Sequence, residues 1–277
     1  MEKKLLDMKN ISKTFGNVQA LKGVSLDLYA GEVLALMGEN GAGKSTLMNI
    51  LSGSLQPTEG EIYLNGEKVV VPDPITAKKL GIAKIHQELQ IVPELSVAEN
   101  IFLGRWKTSA GPAVDFKAMK DEAKVYLDML DVHVDPSKKL KDLRIGEQQL
   151  VEIAKAISLN SKIIVMDEPT SAISEKEAEK LFTIIRRLRG EGKGIIYITH
   201  RMEEIFKIAD RLTVMRDGQY IGTVKAAETS KDEIIRMMVG RDMSEQYPKD
   251  PTEKGEVALE VKNSYIHAAN GKTSGVL

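Results

Sequence analysis

Gly38-Glu39-Asn40-Gly41-Ala42-Gly43-Lys44-Ser45-Thr46 matches the phosphate-loop pattern G-x-x-x-x-G-K-[ST] at every fixed position. Working outward, the apolar run Val33 to Met37 reads as a buried strand, and Lys44 to Leu51 repeats Leu47, Ile50 and Leu51 at helical spacing. Strand, loop and helix follow in the order that phosphate binding requires. Glycine at 38, 41 and 43 frees the backbone to close its N–H groups round a polyphosphate, with the positive end of the following helix behind them. Glu39, Asn40, Ala42 and Thr46 complete the cradle, Lys44 is spaced to reach the outer phosphates, and the Ser45 hydroxyl is placed to ligate Mg²⁺. The segment therefore predicts capture of a nucleoside triphosphate.

The bulk composition narrows the setting. A chain of 277 residues with 42% hydrophobic content has ample material for a core. Lys and Arg number 39 against 40 Asp and Glu, so no overall field draws the protein to nucleic acid or to an anionic membrane. There is no cysteine for a disulfide framework or a thiolate metal site. The start, Met1 to Asp7, is too polar for the apolar centre of a secretion signal, so a cytoplasmic location is expected. No apolar run approaches the roughly 18 to 20 residues that cross a bilayer, and any membrane role is expected to run through a partner.

Along the chain, residues 3 to 30 alternate round Leu6, Met8, Val24, Leu26 and Leu28, and Asn65-Gly66 marks a two-residue hairpin, so an antiparallel sheet is expected beside the nucleotide core. From Val97 to Leu159 the pattern is helical, with Phe116 to Leu130 amphipathic through Met119, Ala123, Tyr126, Leu127 and Leu130. Strand-like runs return at Ile163 to Met166 and Ile195 to Thr199, separated by a helix that Ser174 and Glu177 open as a capping box. Asp217-Gly218 predicts another hairpin, and Lys231 to Val239 a last helix stopped by Gly240. Beyond it, Pro248 and Pro251 in a charged stretch read as linker, and LEVKN at 259–263 echoes LDMKN at 6–10, as if a second copy begins whose own phosphate loop falls past residue 277.

Cleaving a phosphoanhydride needs a further carboxylate on the metal side and a group to orient water, both at the end of a strand beside the loop. Ile163-Ile164-Val165-Met166-Asp167-Glu168 supplies both: Asp167 to hold Mg²⁺ directly or through water, Glu168 to act as general base or to polarise the attacking water, and Pro169 to stop the strand.

Taken together, GENGAGKSTLMNILSG, IHQELQIVPELSVAENIFLGR, IGEQQLVEIAKAIS, MDEPTSAIS and IIYITHR occur in the order found in ATP-binding cassette proteins, and the chain most resembles the ATPases of carbohydrate importers of the ribose, galactose and xylose type, as the first nucleotide-binding domain of a tandem protein. The resemblance spans about residues 4 to 242. It implies an α/β phosphate-loop NTPase core with a flanking antiparallel β subdomain and an inserted helical subdomain at about 92–160, the cassette filling 1–243, and 244–277 forming a linker and the start of a truncated second cassette. It implies that Phe15 stacks on adenine, that Gln87 links Mg²⁺ and water to the helical subdomain, and that His200 contacts the γ-phosphate. It implies a peripheral place on the inner face of the cell membrane and, as partners, a second cassette as homodimer or tandem half, membrane permease subunits and, indirectly, a substrate-binding protein, with no nucleic acid.

One segment departs from the family. Where Leu-Ser-Gly-Gly-Gln is usual, this chain has Leu143-Arg144-Ile145-Gly146-Glu147; the resemblance implies that this segment caps ATP on the opposite cassette from the N-terminus of a helix expected here over Gln148 to Ser158. A guanidinium can pair with phosphate bidentately, or its bulk can hold the halves apart; impairment is the favoured reading, and it falls on the pocket built from the partner's loop. Ser174 also replaces a frequent Asp and reads as a helix cap. Two rival functions remain at this stage: a tandem cassette ATPase acting on ribosomes or nucleic acid, and a nucleotide-binding module that no longer turns over.

Overall fold

The computed structural model describes residues 3–109, 113–240, 265–267 and 273–275. It divides into two compact units, Met1–Gly240 and Arg241–Leu277, so the first unit closes three residues before the expected boundary at 243. The expected linker and the LEVKN echo lie outside the described residues. Of the second unit, Tyr265–His267 pairs antiparallel with Thr273–Gly275.

The first unit holds two sheets. Strands β1 (Lys4–Phe15) and β2 (Val18–Tyr29) pair antiparallel, β3 (Val33–Met37) runs into helix α1 (Lys44–Leu51), and β4 (Glu59–Leu64) turns at Asn65-Gly66 into β5 (Glu67–Val69). These make a four-stranded sheet in the order β2-β1-β4-β5. The residues whose alternation predicted it, Leu6, Met8, Val24, Leu26 and Leu28, are all buried. Two elements had no clear signal in the sequence: α2 (Pro74–Lys79), which Asp73 caps, and the short strand β6 (Ile82–Ile85).

Next comes the helical subdomain, α3 (Val97–Ile101), α4 (Phe116–Met129) and α5 (Ile145–Ser158). Met119, Ala123 and Leu127 face inward from α4, and each fully buried side chain the size of Leu127 stabilises by about 1.5–3 kcal/mol. One expectation is corrected: α5 starts at Ile145, not Gln148, so Arg144 is its cap residue and Gly146 and Glu147 belong to its first turn. The chain then returns through β7 (Ile163–Asp167), α6 (Glu175–Gly190), β8 (Gly194–Ile198), α7 (Met202–Ile208), the hairpin β9 (Arg211–Arg216) and β10 (Gln219–Lys225), and α8 (Lys231–Val239), ended by Gly240 in the left-handed region.

The central sheet runs β10-β9-β3-β8-β7-β6, parallel except for β10. Every residue of β3, β7 and β8 is buried, as expected of strands covered on both faces, which explains why they read as unbroken apolar runs. Alternate residues serve two layers. Leu34, Leu36, Val165, Ile196 and Ile198 pack with Leu47 and Ile50 of α1 and with the antiparallel sheet. Val33, Ile164, Met166, Ile195 and Tyr197 pack with α6 and the helical subdomain.

Candidate active site

Three strand ends converge at one edge of the central sheet. Leu36 is level with Ile198, and Ile198 with Asp167, so β3, β8 and β7 deliver the loop after Met37, the pair Thr199-His200 and the carboxylate Glu168 to the same side. Such an edge of a parallel sheet is where ligands bind in open α/β folds. The Asp-Glu strand is not the immediate neighbour of β3 that its chemistry implied; β8 lies between them, which sets the two about 10 Å apart and brings His200 to the middle.

A cleft of about 390 Å³ opens there, lined by residues 40–46 of the phosphate loop, by Gln87, Asp167 and Glu168, and by Ala20 and Ile198. The loop conformation demands its glycines. Gly38 has φ 153°, and a Cβ on it would stand 2.3 Å from the Met215 carbonyl oxygen; Gly43, the cap residue of α1, has φ 96°, and a Cβ would stand 2.7 Å from a Leu21 methyl. The α1 N-terminus is thus capped by no side chain, and its first amides are open toward the cleft. Lys44 Nζ donates to the carbonyls of Gly38 (2.8 Å) and Glu39 (3.0 Å). Burial lowers the Lys44 pKa, against the pull of the Glu168 and Asp167 carboxylates.

Glu168 sits at the centre of this geometry. It follows β7 with φ 48°, a left-handed conformation that costs a residue with a side chain about 1–3 kcal/mol, and its N–H donates to the Ile198 carbonyl at 3.0 Å. Gln87 Nε2 donates to one carboxylate oxygen at 3.2 Å, and His200 Nδ1 lies 3.3 Å from the other. The three residues assigned to hydrolysis, from strands and loops 81 and 32 residues apart along the chain, are therefore joined through one carboxylate.

Asp167 is buried, which raises its pKa; Lys84, with Nζ 3.8 Å away, opposes the shift. Lys84 is itself buried and donates to Asn49 Oδ1 at 2.7 Å. The fit to Mg²⁺ follows from donor chemistry. Ser45 and Asp167 both line the cleft and offer hard oxygen ligands, and among the described residues no group of three His, Cys, Asp or Glu forms a full protein cage. One hydroxyl and one carboxylate, with the rest left to water and phosphate, is the kind of site Mg²⁺ takes.

Phe15 lies apart. It closes the β1–β2 hairpin opposite Val18, half exposed, with Lys13 Nζ 5.1 Å over its ring, and it does not line the cleft, whereas Ala20 on β2 does. The segment Leu143–Glu147 also lies outside it. The Arg144 side chain has no acceptor atom, so it gives α5 no side-chain cap; instead Glu147 Oε2 accepts the Arg144 N–H at 2.9 Å, and Gln148 Nε2 donates to the carbonyls of Leu140 and Leu143. Gly146 faces the start of α6, where Ser174 and Glu177 form the expected reciprocal cap. Sequence reasoning missed Lys84, whose one signal is a cation inside the apolar run Ile82 to Ile85, and Glu204, a buried carboxylate on α7 behind His200.

Phosphate loop, strand-end Asp-Glu pair, bridging glutamine and histidine together define a nucleotide-binding cassette. The chain belongs to the ABC transporter family, whose model matches residues 21–171. It is 50% identical over 99% of its length to a ribose import ATP-binding protein of Caldanaerobacter subterraneus, covering 55% of that relative, and 48% identical over 94% to the ribose import ATP-binding protein of Bacillus subtilis, covering 53%. The chain spans about half the length of the curated relatives it matches. Among solved structures it resembles the ADP conformation of MJ1267, an ATP-binding cassette of an ABC transporter (29% identity, TM-score 0.73, 89% of this chain and 99% of that one). It also resembles a dimeric cassette, MJ0796, in a post-hydrolysis state bound to ADP and phosphate (29%, TM-score 0.71, 80% and 99%).

Proposed function

We propose that this chain is the ATP-binding and ATP-hydrolysing part of an importer for a monosaccharide, working against a second cassette and driving separate permease subunits from the inner face of the cell membrane. The observation that carries the hydrolytic reading is the Glu168 carboxylate held by Gln87 on one oxygen and His200 on the other beside the phosphate loop. The sugar is inferred from the relatives' names, and the permease and an external binding protein are the parts that select it. The second cassette is inferred from the relatives' double length and the echo at 259–263.

In the proposed reaction, Lys44 and the loop amides hold the β- and γ-phosphates in line with water near Glu168. Water oxygen bonds to the γ-phosphorus as the bond to the bridging oxygen of ADP breaks, and the water proton passes to Glu168. Gln87 and His200 fix the carboxylate's orientation, and His200 is placed to steady the γ-phosphoryl group as it passes to water. Mg²⁺, held by Ser45 and Asp167, would neutralise charge on the phosphates.

Glu168→Gln is expected to retain ATP binding while turnover falls by about 10² to 10⁴, the worth of a lost general base. Unchanged turnover in a folded variant removes Glu168 from this role. The non-hydrolysing alternative is favoured by one feature, Arg144 at the start of α5, and phosphate release by the chain mixed with a cassette of intact signature separates the two. Action on nucleic acid has no support from a net charge of −1.

A further inference from the structure

Behind the catalytic edge lies a carboxylate that the reaction above does not use. Glu204, in the first turn of α7, is 6% exposed. Thr170 Oγ1 donates to its Oε1 at 2.8 Å, and Tyr197 Oη and Thr199 Oγ1 donate to its Oε2, each at 2.9 Å. The Arg201 guanidinium stands 3.5 Å from Oε1. A desolvated carboxylate is costly unless its lone pairs are filled, and here hydroxyl groups fill them. Burial and the Glu204 carboxylate together push the Tyr197 phenol pKa up, so it stays a donor.

The donors are placed on the two loops that matter. Thr170 stands two residues after Glu168, and Thr199 immediately before His200. The Thr199 hydroxyl works twice, donating to Glu204 and accepting the Arg201 N–H at 3.0 Å, so the turn 199–201 is pinned on both sides of the histidine. His200 itself is 69% exposed along its side chain, so little packing surrounds it, and the hydrogen-bonded turn 199–201 carries it. Glu168 has an unfavourable backbone conformation that must be held by its surroundings, and the tie through Thr170 begins two residues on.

We propose that Glu204 is the positioning residue that sets His200 and Glu168 in register, by stapling the loop after β7 and the end of β8 to α7. The proposal rests on the hydrolytic reading above. The Glu204 carboxylate reaches no reacting atom; it acts by holding the 3.3 Å approach of His200 to Glu168.

The test is a cycle of variants in the full chain: Glu204→Gln and Thr170→Val, each alone and combined with His200→Ala, measured for single-turnover hydrolysis of Mg·ATP and for ATP affinity. Glu204→Gln is expected to slow the chemical step by about 10- to 10²-fold, the cost of misplacing a catalytic group, with ATP affinity within about twofold of the parent. Thr170→Val, which removes one donor and leaves the carboxylate, is expected to give a smaller loss in the same direction. In the His200→Ala background both losses shrink, because one of the two groups they position is gone and only the share that acts through Glu168 remains. A second reading does not need turnover: the ring resonance of His200, one of four histidines in the chain, shifts in Glu204→Gln and Thr170→Val. Losses fully additive with His200→Ala, or an unmoved His200 resonance, overturn the proposal, and should Glu204→Gln not fold, Thr170→Val decides alone. Failure of the Glu168→Gln expectation overturns the hydrolytic reading instead, whereas a turnover loss there with additive Glu204 effects overturns only this inference.

Discussion

Two helices begin in segments that family resemblance assigns to phosphate, and they begin in opposite ways. α1 starts from Gly43, a residue with no side chain, and its amides face the cleft behind a cation, Lys44. α5 starts from Arg144, whose side chain cannot accept a hydrogen bond, and the first turn answers itself with Glu147, whose carboxylate takes the Arg144 N–H. At α1 the partial positive charge of the helix end is left for an incoming anion; at α5 an internal carboxylate already offsets it. The comparison fits the proposed reading, in which this chain holds a triphosphate in its own loop, and the expectation from the sequence that it caps one on a partner less well. The expected impairment thus gains a second cause: besides the bulk of Arg144, Glu147 places like charge where phosphate would approach.

The difference can be sharpened by converting the second helix toward the first. In the Glu168→Gln background, which is expected to keep bound ATP intact, Arg144→Ser with Glu147→Gln is expected to tighten Mg·ATP-dependent association of two chains by about tenfold, the equivalent of about 1.4 kcal/mol from an uncovered helix end and a restored hydroxyl. Sedimentation with and without ATP measures it. Association unchanged by the pair of substitutions would mean that α5 already serves as a cap and that the contrast with α1 has no functional meaning.

A smaller effect is expected at α6, which shows what a proper cap does. Ser174 and Glu177 bond reciprocally there, and those bonds from Ser174 hold the Glu177 pKa below its ordinary value. Ser174→Ala is expected to cost about 1 kcal/mol of stability at neutral pH. Because the folded-state pKa of Glu177 is depressed, its share of that stability is present above the ordinary glutamate range and is lost as pH falls through the folded value. Urea titrations of parent and variant should therefore converge on acidification; a gap that widens at low pH contradicts the assignment.

The same caps explain what could be read in the sequence. The start of α6 is legible to the residue because Ser174 and Glu177 are a chemical signature, and the end of α8 because Gly240 supplies the left-handed stop. α5 was placed three residues late because arginine carries no capping signal. The phosphate loop and the Asp167-Glu168 pair are legible because their chemistry is local in sequence, and the three strands buried along their whole length, β3, β7 and β8, leave unbroken apolar runs. β6 was too short to announce itself, so Lys84 was missed with it. Glu204 was invisible for a different reason: a glutamate in a polar helical stretch reads as solvated, and its burial arises only when Thr170, Tyr197 and Thr199 arrive from two other strands. Phe15 was assigned by resemblance alone, and the cleft wall on that side is made by Ala20.

The central claim is that the loop 38–46, with Lys44, grips the triphosphate beside Glu168. Calorimetric titration of Mg·ATP into the parent chain and into Lys44→Ala tests it most directly. The account predicts saturable binding at one site per chain that Lys44→Ala weakens by about 10- to 10²-fold, the worth of a charge-assisted hydrogen bond. A folded parent chain that binds no Mg·ATP, or binds it equally well without the lysine, would contradict it.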